Sequence, residues 1–265
     1  MVAASSVDLT GQVAVVTGGS RGVGRGITIA LLDAGAQVVT CGRSRPDELL
    51  SATGPDGVVR TAHFVVADVR DPASVATLFE QAVETFGRLD LLVNNAGGSP
   101  STEAATVSPR FITSVVTLNL LAPFFCAQAA NAIMATQESG GQIINIGSVS
   151  GLRPSPGTAA YGAAKAGLIN LTETLAVEWA PKVRVNCISA GLLDSGAGPE
   201  HYGGVDGFRR VAATVPLGRM GTPDDVAGLV LAMAGPFAPY LSGANVVLHG
   251  GGEWPAFLAA AKGTS

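Results

Sequence analysis

The stretch Val13-Ala14-Val15-Val16-Thr17-Gly18-Gly19-Ser20-Arg21-Gly22-Val23-Gly24 decides the fold. Its first four residues are apolar on both faces, which suits a strand buried between two layers of helices in a parallel sheet. The glycines that follow let the chain turn sharply into a helical pattern over Val23–Ala34. Backbone N–H groups at such a helix start offer a site for a phosphate. The spacing Gly18-x-x-x-Gly22-x-Gly24 is not the more common dinucleotide fingerprint, so alone it reads as a tight strand-to-helix turn.

Outward from this unit the same texture repeats. Short β-branched runs occur at Gln12–Thr17, Gln37–Cys41, His63–Val66, Leu89–Asn94, Gln142–Gly147, Val183–Ile188 and Asn245–Leu248. Helical periodicity separates most of them, as in Pro72–Phe86, Tyr161–Ala180 and Pro223–Met233. Alternating strands and helices predict an α/β chain, a single doubly wound domain over residues 1–265 with a parallel sheet of about seven strands. No linker or repeat divides it. The Gly-rich segment Ser195–Val205 reads as a mobile loop over a site, within a substrate loop around 195–215.

The 265 residues carry a net charge of −4, and no Lys/Arg-rich run is present, which argues against a nucleic-acid surface. Cys41, Cys126 and Cys187 form no close pair, so neither a disulfide framework nor a metal-ligand spacing is expected. Met1–Thr10 lacks the basic and apolar parts of a secretory signal, and a reducing, cytoplasmic setting is the simplest reading. Phe111–Met134 is apolar but interrupted by Thr113, Ser114, Thr117, Asn119, Gln128 and Asn131, with Pro123 inside it. It reads as a buried helix and not as a membrane span.

Two features point to proton chemistry. Tyr161-x-x-x-Lys165 puts a phenol and an ammonium one helical turn apart on one face. The ammonium favours the phenolate of a group whose ordinary pKa is about 10. Ser148 ends the Ile143–Gly147 run, at the edge of the sheet where ligands bind in such folds. Each feature alone has an ordinary structural reading, a surface pair and a helix cap.

In order along the chain stand Thr17 to Gly24, Asp68-Val69, Asn94-Asn95-Ala96-Gly97, Asn119, Ser148 and Tyr161-x-x-x-Lys165, with Pro216-Leu217-Gly218-Arg219 and Gly250-Gly251 near the end. This order resembles the classical short-chain dehydrogenase/reductase family, including its 3-oxoacyl reductase-like members, over essentially the whole chain. The resemblance implies a Rossmann-type fold and hydride transfer between a nicotinamide dinucleotide and a carbonyl or secondary alcohol. Gly18, Ser20, Arg21, Gly22, Val23 and Gly24 would hold the pyrophosphate side, Asp68 and Val69 the adenine edge, and Asn95, Ala96 and Gly97 the adenosine end. Asn94 would brace the central strand. Ser148 would hydrogen-bond the substrate oxygen and Tyr161 would exchange a proton with it. Lys165 would lower the tyrosine pKa and bind the nicotinamide ribose, and Asn119 would hold a water linking Lys165 to solvent.

Coenzyme choice is read from the end of the second strand, Thr40-Cys41-Gly42-Arg43-Ser44. Gly42 stands where an NAD-specific relative carries an acid for the ribose 2′-hydroxyl. Arg43 and Arg21 suit a 2′-phosphate, so NADP(H) is expected.

The chain departs from the family pattern in two places. Ala190-Gly191-Leu192-Leu193-Asp194-Ser195 lacks a proline, so Gly191 and the Leu193 backbone would hold the carboxamide and Ser195 would replace a threonine hydroxyl, on a less rigid loop. His249 stands where many relatives carry an acidic residue, and it reads as a satisfied surface or interface histidine and not as a catalytic one.

A substrate pocket is expected from Gly98–Ser101, Val149–Thr158 and Ser195–Val215, partly apolar through Leu152, Leu192, Tyr202 and Phe208. Arg153, Arg209 and Arg210 read either as a handle for a phosphate-bearing thioester or as solvated charge. The partner is thus a small carbonyl or alcohol, a ketone or 3-oxoacyl thioester. A sensor of the same fold, binding NADP(H) without turnover, is the alternative. The helical stretches Phe111–Thr136 and Tyr161–Ala180 are too apolar to face water on one side, and the resemblance implies that they pack between subunits of a homotetramer, or of a dimer. The cluster Glu253–Leu258 fits cover by a neighbouring subunit.

Overall fold

Alternate residues of the central strands point into two separate cores. Val15, Val39, Leu92 and Ile143 belong to one, and Ala14, Val16, Val38, Leu91 and Ile144 belong to the other. This is the packing that strands apolar on both faces require. The computed structural model describes residues 7–196 and 202–261.

Nine strands and eight helices are described: β1 (Val13–Thr17), α1 (Gly22–Asp33), β2 (Gln37–Gly42), β3 (Ser51–Thr53), β4 (Val59–Thr61), β5 (His63–Val66), α2 (Pro72–Phe86) and β6 (Leu91–Asn94). Then follow α3 (Pro109–Val116), α4 (Ala122–Met134), β7 (Gly141–Ser148), α5 (Ala159–Glu178), β8 (Val183–Ala190), α6 (Gly204–Thr214), α7 (Pro223–Ala234), β9 (Asn245–Leu248) and α8 (Ala256–Ala261). Seven strands form one parallel sheet in the order β5-β2-β1-β6-β7-β8-β9. The chain runs outward from β1 to β5, then returns to place β6 beside β1. That reversal opens a crevice at the carboxyl ends of β1 and β6, where such sheets bind ligands.

One core layer is built by α1 and α7 and the other by α2, α4 and α5. Two helix starts have a clear local cause. Asp71 caps α2 by accepting from the N–H groups of Ala73 and Ser74, and Thr222 and Asp225 form a reciprocal capping box on α7.

Two expectations about local structure are corrected. The antiparallel pair β3–β4 lies where the sequence reading left a connection. Its turn contains Pro55-Asp56-Gly57, with Gly57 at φ 75°, and Asp56 pairs with Arg60 at 2.6 Å. The segment read as a loop over residues 195–215 contains α6. Its helical spacing of Val205, Phe208 and Val211 was obscured by Gly203, Gly204 and Gly207. Residues 197–201 of that expected loop lie outside the described residues.

Pro109–Met134 is long and apolar enough to cross a membrane by length and composition. In the fold it is a packing helix against β6, β7, α2 and α5, as its polar interruptions implied. It is not a uniform helix. A π-helical turn, Thr117–Leu121, joins α3 to α4, and the Ala122 N–H donates to the Thr117 carbonyl five residues back. Pro123 has no N–H to give the carbonyl four residues earlier, so the helix absorbs an extra residue at that point.

Candidate active site

The glycine turn between β1 and α1 is held from below by threonine hydroxyls. Thr17 Oγ1 accepts from the N–H groups of Asn95 and Ala96, both at 3.0 Å, and the Asn95 side chain donates to the Thr17 and Gly18 carbonyls at 2.9 and 3.2 Å. These bonds lock the ends of β1 and β6 together. Gly24 has no room for a side chain: a Cβ would stand 2.3 Å from the Gly18 carbonyl oxygen. Arg21 occupies the N-cap of α1 without capping it through its side chain, so the first-turn N–H groups lack that partner. Ser20 and Val23 flank the same turn. Ser195 lies over it, its carbonyl oxygen 3.5 Å from where a Gly22 Cβ would sit.

Arg43 follows β2 and is exposed, as is Arg21, and neither forms an ion pair among the described residues. Asp68 follows β5. Its carboxylate is gripped by Arg70, whose Nη2 stands at 2.6 Å and Nε at 3.0 Å, and this pairing holds the Asp68 pKa below its ordinary value. Val69 beside it is buried. Sequence reasoning missed Arg70 and the Thr17 anchor, since single polar residues next to a motif carry no spacing signal.

Ser148 is the last residue of β7, and its hydroxyl accepts from the Ser150 N–H at 3.1 Å. Tyr161 and Lys165 lie in the first two turns of α5. Two glycines set the distance between these elements. A Cβ at Gly151 would meet the Ala166 nitrogen at 2.7 Å, and one at Gly162 would meet the Ser150 carbonyl oxygen at 2.8 Å. The turn after β7 therefore rests directly on the backbone of α5 and brings Ser148 to the Tyr161 hydroxyl.

Lys165 is 3% exposed, donates to the Ile146 carbonyl at 2.8 Å and stands 5.7 Å from the Tyr161 ring centroid. Burial pushes its pKa down to about 8, against a smaller upward effect of the nearby Cys187 thiol. Burial raises the Tyr161 pKa, and a hydrogen bond with Ser148 opposes that rise. The phenol is thus protonated at neutral pH.

Asn119 sits in the π turn, fully buried. Its amide donates to Val115 and Gly98 carbonyls at 2.9 and 3.0 Å and accepts from the Gly98 N–H at 2.8 Å. A Cβ at Gly97 would stand 2.8 Å from Asn119 Oδ1 and 3.4 Å from Lys165 Nζ, so the three residues share one small space. Asn94 donates to Asn145 at 2.9 Å and to the Pro123 carbonyl at 3.0 Å, bracing the central strands.

Beyond β8, Gly191 donates to the Leu248 carbonyl at 2.9 Å and abuts His249. Gly221 donates to Leu192 at 2.9 Å and accepts from Asp194 at 2.8 Å, leaving the Leu193 backbone out of both bonds. A recess of about 160 Å³ adjoins the site, lined by Ser99, Thr102, Phe111, Thr158 and Ala160 among others. Arg153 is committed to Glu253 at 2.6 Å, while Arg209 is largely exposed.

A short-chain dehydrogenase/reductase from Serratia marcescens, solved as a double mutant, superposes with a TM-score of 0.81 at 30% identity, covering 92% of this chain and 98% of that one. Residues 15–253 also match the family model described as enoyl-(acyl carrier protein) reductase. The chain belongs to the short-chain dehydrogenase/reductase family. Among curated short-chain dehydrogenase/reductase relatives, a 3-oxoacyl-[acyl-carrier-protein] reductase of a Synechocystis species is 36% identical over 252 residues, 92% of this chain and 97% of the relative. A 3alpha-hydroxysteroid dehydrogenase of Mediterraneibacter gnavus is 34% identical over 251 residues, 91% of this chain and 97% of the relative. As a member of the family the chain is an oxidoreductase, acting on a carbonyl or alcohol of a small molecule with a nicotinamide cofactor.

Proposed function

We propose that the protein is an NADP(H)-dependent reductase or dehydrogenase of a ketone, or of a 3-oxoacyl thioester, with Tyr161 as the proton-transferring group. The observation that carries this reading is the convergence of Ser148, Tyr161, Lys165 and Asn119 at the carboxyl edge of the sheet, beside a glycine turn with no room for a Gly24 side chain.

The residues present fit a dinucleotide. The start of α1 lacks a side-chain cap, and Arg21 and Arg43 are exposed cations that form no close ion pair among the described residues. Gly18, Ser20, Gly22, Val23 and Gly24 would hold the pyrophosphate, Arg21 and Arg43 the 2′-phosphate, and Asp68, Val69, Asn95, Ala96 and Gly97 the adenosine. Lys165 would bind the nicotinamide ribose, and Gly191, Leu193 and Ser195 the carboxamide side. When bound, the reduced cofactor supplies a hydride to the carbonyl carbon.

The chain must then supply a proton and a second donor to the oxygen. Tyr161, protonated at neutral pH, donates its proton to the developing alkoxide, and the Ser148 hydroxyl donates a hydrogen bond to the same atom. Lys165, mostly charged at pH 7, stabilises the phenolate left behind. Asn119 holds the backbone at Gly98 and keeps the space beside Lys165 open to a water that returns the proton.

A homotetramer, or a dimer, accounts for the exposed Ile112, Leu121 and Val177 on α3, the π turn and α5. The cytoplasm is the expected compartment, with its three thiols buried and free. A sensor that binds NADP(H) without turnover has no chemical need of the Ser148–Tyr161–Lys165 arrangement. The test is loss of NADPH absorbance, and separately of NADH, on a panel of ring ketones and 3-oxoacyl thioesters. Turnover with NADPH supports the reading, and binding without any turnover favours the sensor.

A further inference from the structure

The Ser148 side chain is held through three further hydroxyl residues that follow it in the chain. Ser148 Oγ accepts from the Ser150 N–H at 3.1 Å. Ser150 Oγ in turn accepts from the Ser155 hydroxyl at 3.1 Å, and Ser155 Oγ stands 2.6 Å from Thr158 Oγ1. Each hydroxyl carries one hydrogen, so with that of Ser155 given to Ser150, the short contact is Thr158 donating to Ser155. The chain therefore runs one way, from Thr158 through Ser155 to Ser150, and it ends on the residue whose N–H meets Ser148.

Thr158 forgoes an ordinary bond to take part. It is the N-cap of α5, where a threonine side chain commonly accepts from an N–H of the first turn, yet it makes no such bond. Ser155 stands between Pro154 and Pro156, whose rings fix φ on either side of it. The Ser150 carbonyl oxygen rests on α5, 2.8 Å from where a Gly162 Cβ would sit. Ser150 is thus fixed at its nitrogen, its carbonyl and its hydroxyl. With one lone pair of Ser148 Oγ taken by the Ser150 N–H, the Ser148 hydrogen is left for an oxygen in the site.

We infer that Ser155 and Thr158 are positioning residues for the reaction: acting through Ser150, they hold the Ser148 hydroxyl so that its hydrogen points to the substrate oxygen. This rests on the reductase reading above and adds residues outside the Ser148–Tyr161–Lys165 set on which its rate depends.

The test reads NADPH oxidation in a single turnover by the full-length protein, on the ring ketone or 3-oxoacyl thioester of the panel that the wild type reduces fastest. Ser155→Ala lowers this rate about five- to tenfold, the scale of one hydrogen bond of ordinary strength, while the steady-state KM and NADPH affinity stay as in the wild type. Thr158→Val, which puts a methyl group in place of the hydroxyl, lowers it in the same way, and Thr158→Ser keeps the wild-type rate. The decisive comparison is in the Ser148→Ala background. With no Ser148 hydroxyl left to hold, Ser155→Ala and Thr158→Val cost nothing further there, whereas a general loosening of the turn would cost as much as in the wild type. A Ser155→Ala rate equal to the wild type, an undiminished loss in the Ser148→Ala background, or a Thr158→Val rate equal to that of Thr158→Ser overturns the inference while leaving the reductase reading intact. If Ser155→Ala does not fold, as loss of NADPH binding would report, the two Thr158 variants decide by the same criteria. Silence of the wild type across the whole ketone and thioester panel overturns the reductase reading itself, and this inference with it.

Discussion

Lys165 Nζ stands 5.7 Å from the centroid of the Tyr161 ring while donating to the Ile146 carbonyl at 2.8 Å. The cation is therefore anchored to the strand that ends in Ser148, and it faces the phenol from a fixed point. Three residues are related through one strand end and one helix face.

Because Lys165 is buried, its pKa falls from 10.5 to about 8. The unfolded chain keeps its proton up to about pH 10.5, so between pH 8 and 10.5 the unfolded state binds more protons. Stability from this group therefore rises with pH across that window, by roughly 2–4 kcal/mol. Lys165→Met removes the rise. Urea unfolding of both proteins without cofactor at pH 7.5, 9 and 10 measures it, and parallel curves would remove the argument.

Arg43→Asp is expected to weaken NADPH binding by roughly 10–150-fold, the scale of a charge-assisted hydrogen bond of about 1.5–3 kcal/mol. NADH binding should change far less. Fluorescence titration of both nucleotides decides it, and equal losses would show that Arg43 does not meet a 2′-phosphate.

Gly162→Ala brings a Cβ to 2.8 Å from the Ser150 carbonyl oxygen. Shifting the turn should cost about 1–3 kcal/mol of stability, as overpacking does. It should also lower kcat, since a displacement of about 1 Å costs on the order of 10²-fold. Denaturant midpoints and steady-state rates on the same variant test both effects, and an unchanged pair would mean that the turn tolerates the methyl group.

The sheet was legible because buried parallel strands write themselves as runs such as Val13–Val16 and Leu91–Val93, apolar on both faces. The candidate site residues were chosen through their order along the chain, and the fold brings Ser148, Tyr161, Lys165 and Asn119 to one edge of the sheet. Less visible were features made by distant pairs. Arg153 meets Glu253 across 100 residues, and no local pattern announces that contact. The helix α6 was hidden because its glycines read as loop punctuation, although Val205, Phe208 and Val211 keep helical spacing. The π turn follows from Pro123, but the proline alone does not say whether a helix kinks or takes in an extra residue.

The most direct measurement of the central claim is NADPH consumption by wild type and Tyr161→Phe on a ketone that the wild type reduces. The variant keeps the ring and loses the hydroxyl proton. The account predicts a fall in kcat of about 10²-fold or more, the scale of general acid–base catalysis, with NADPH still bound. Turnover by the variant close to wild type would contradict it.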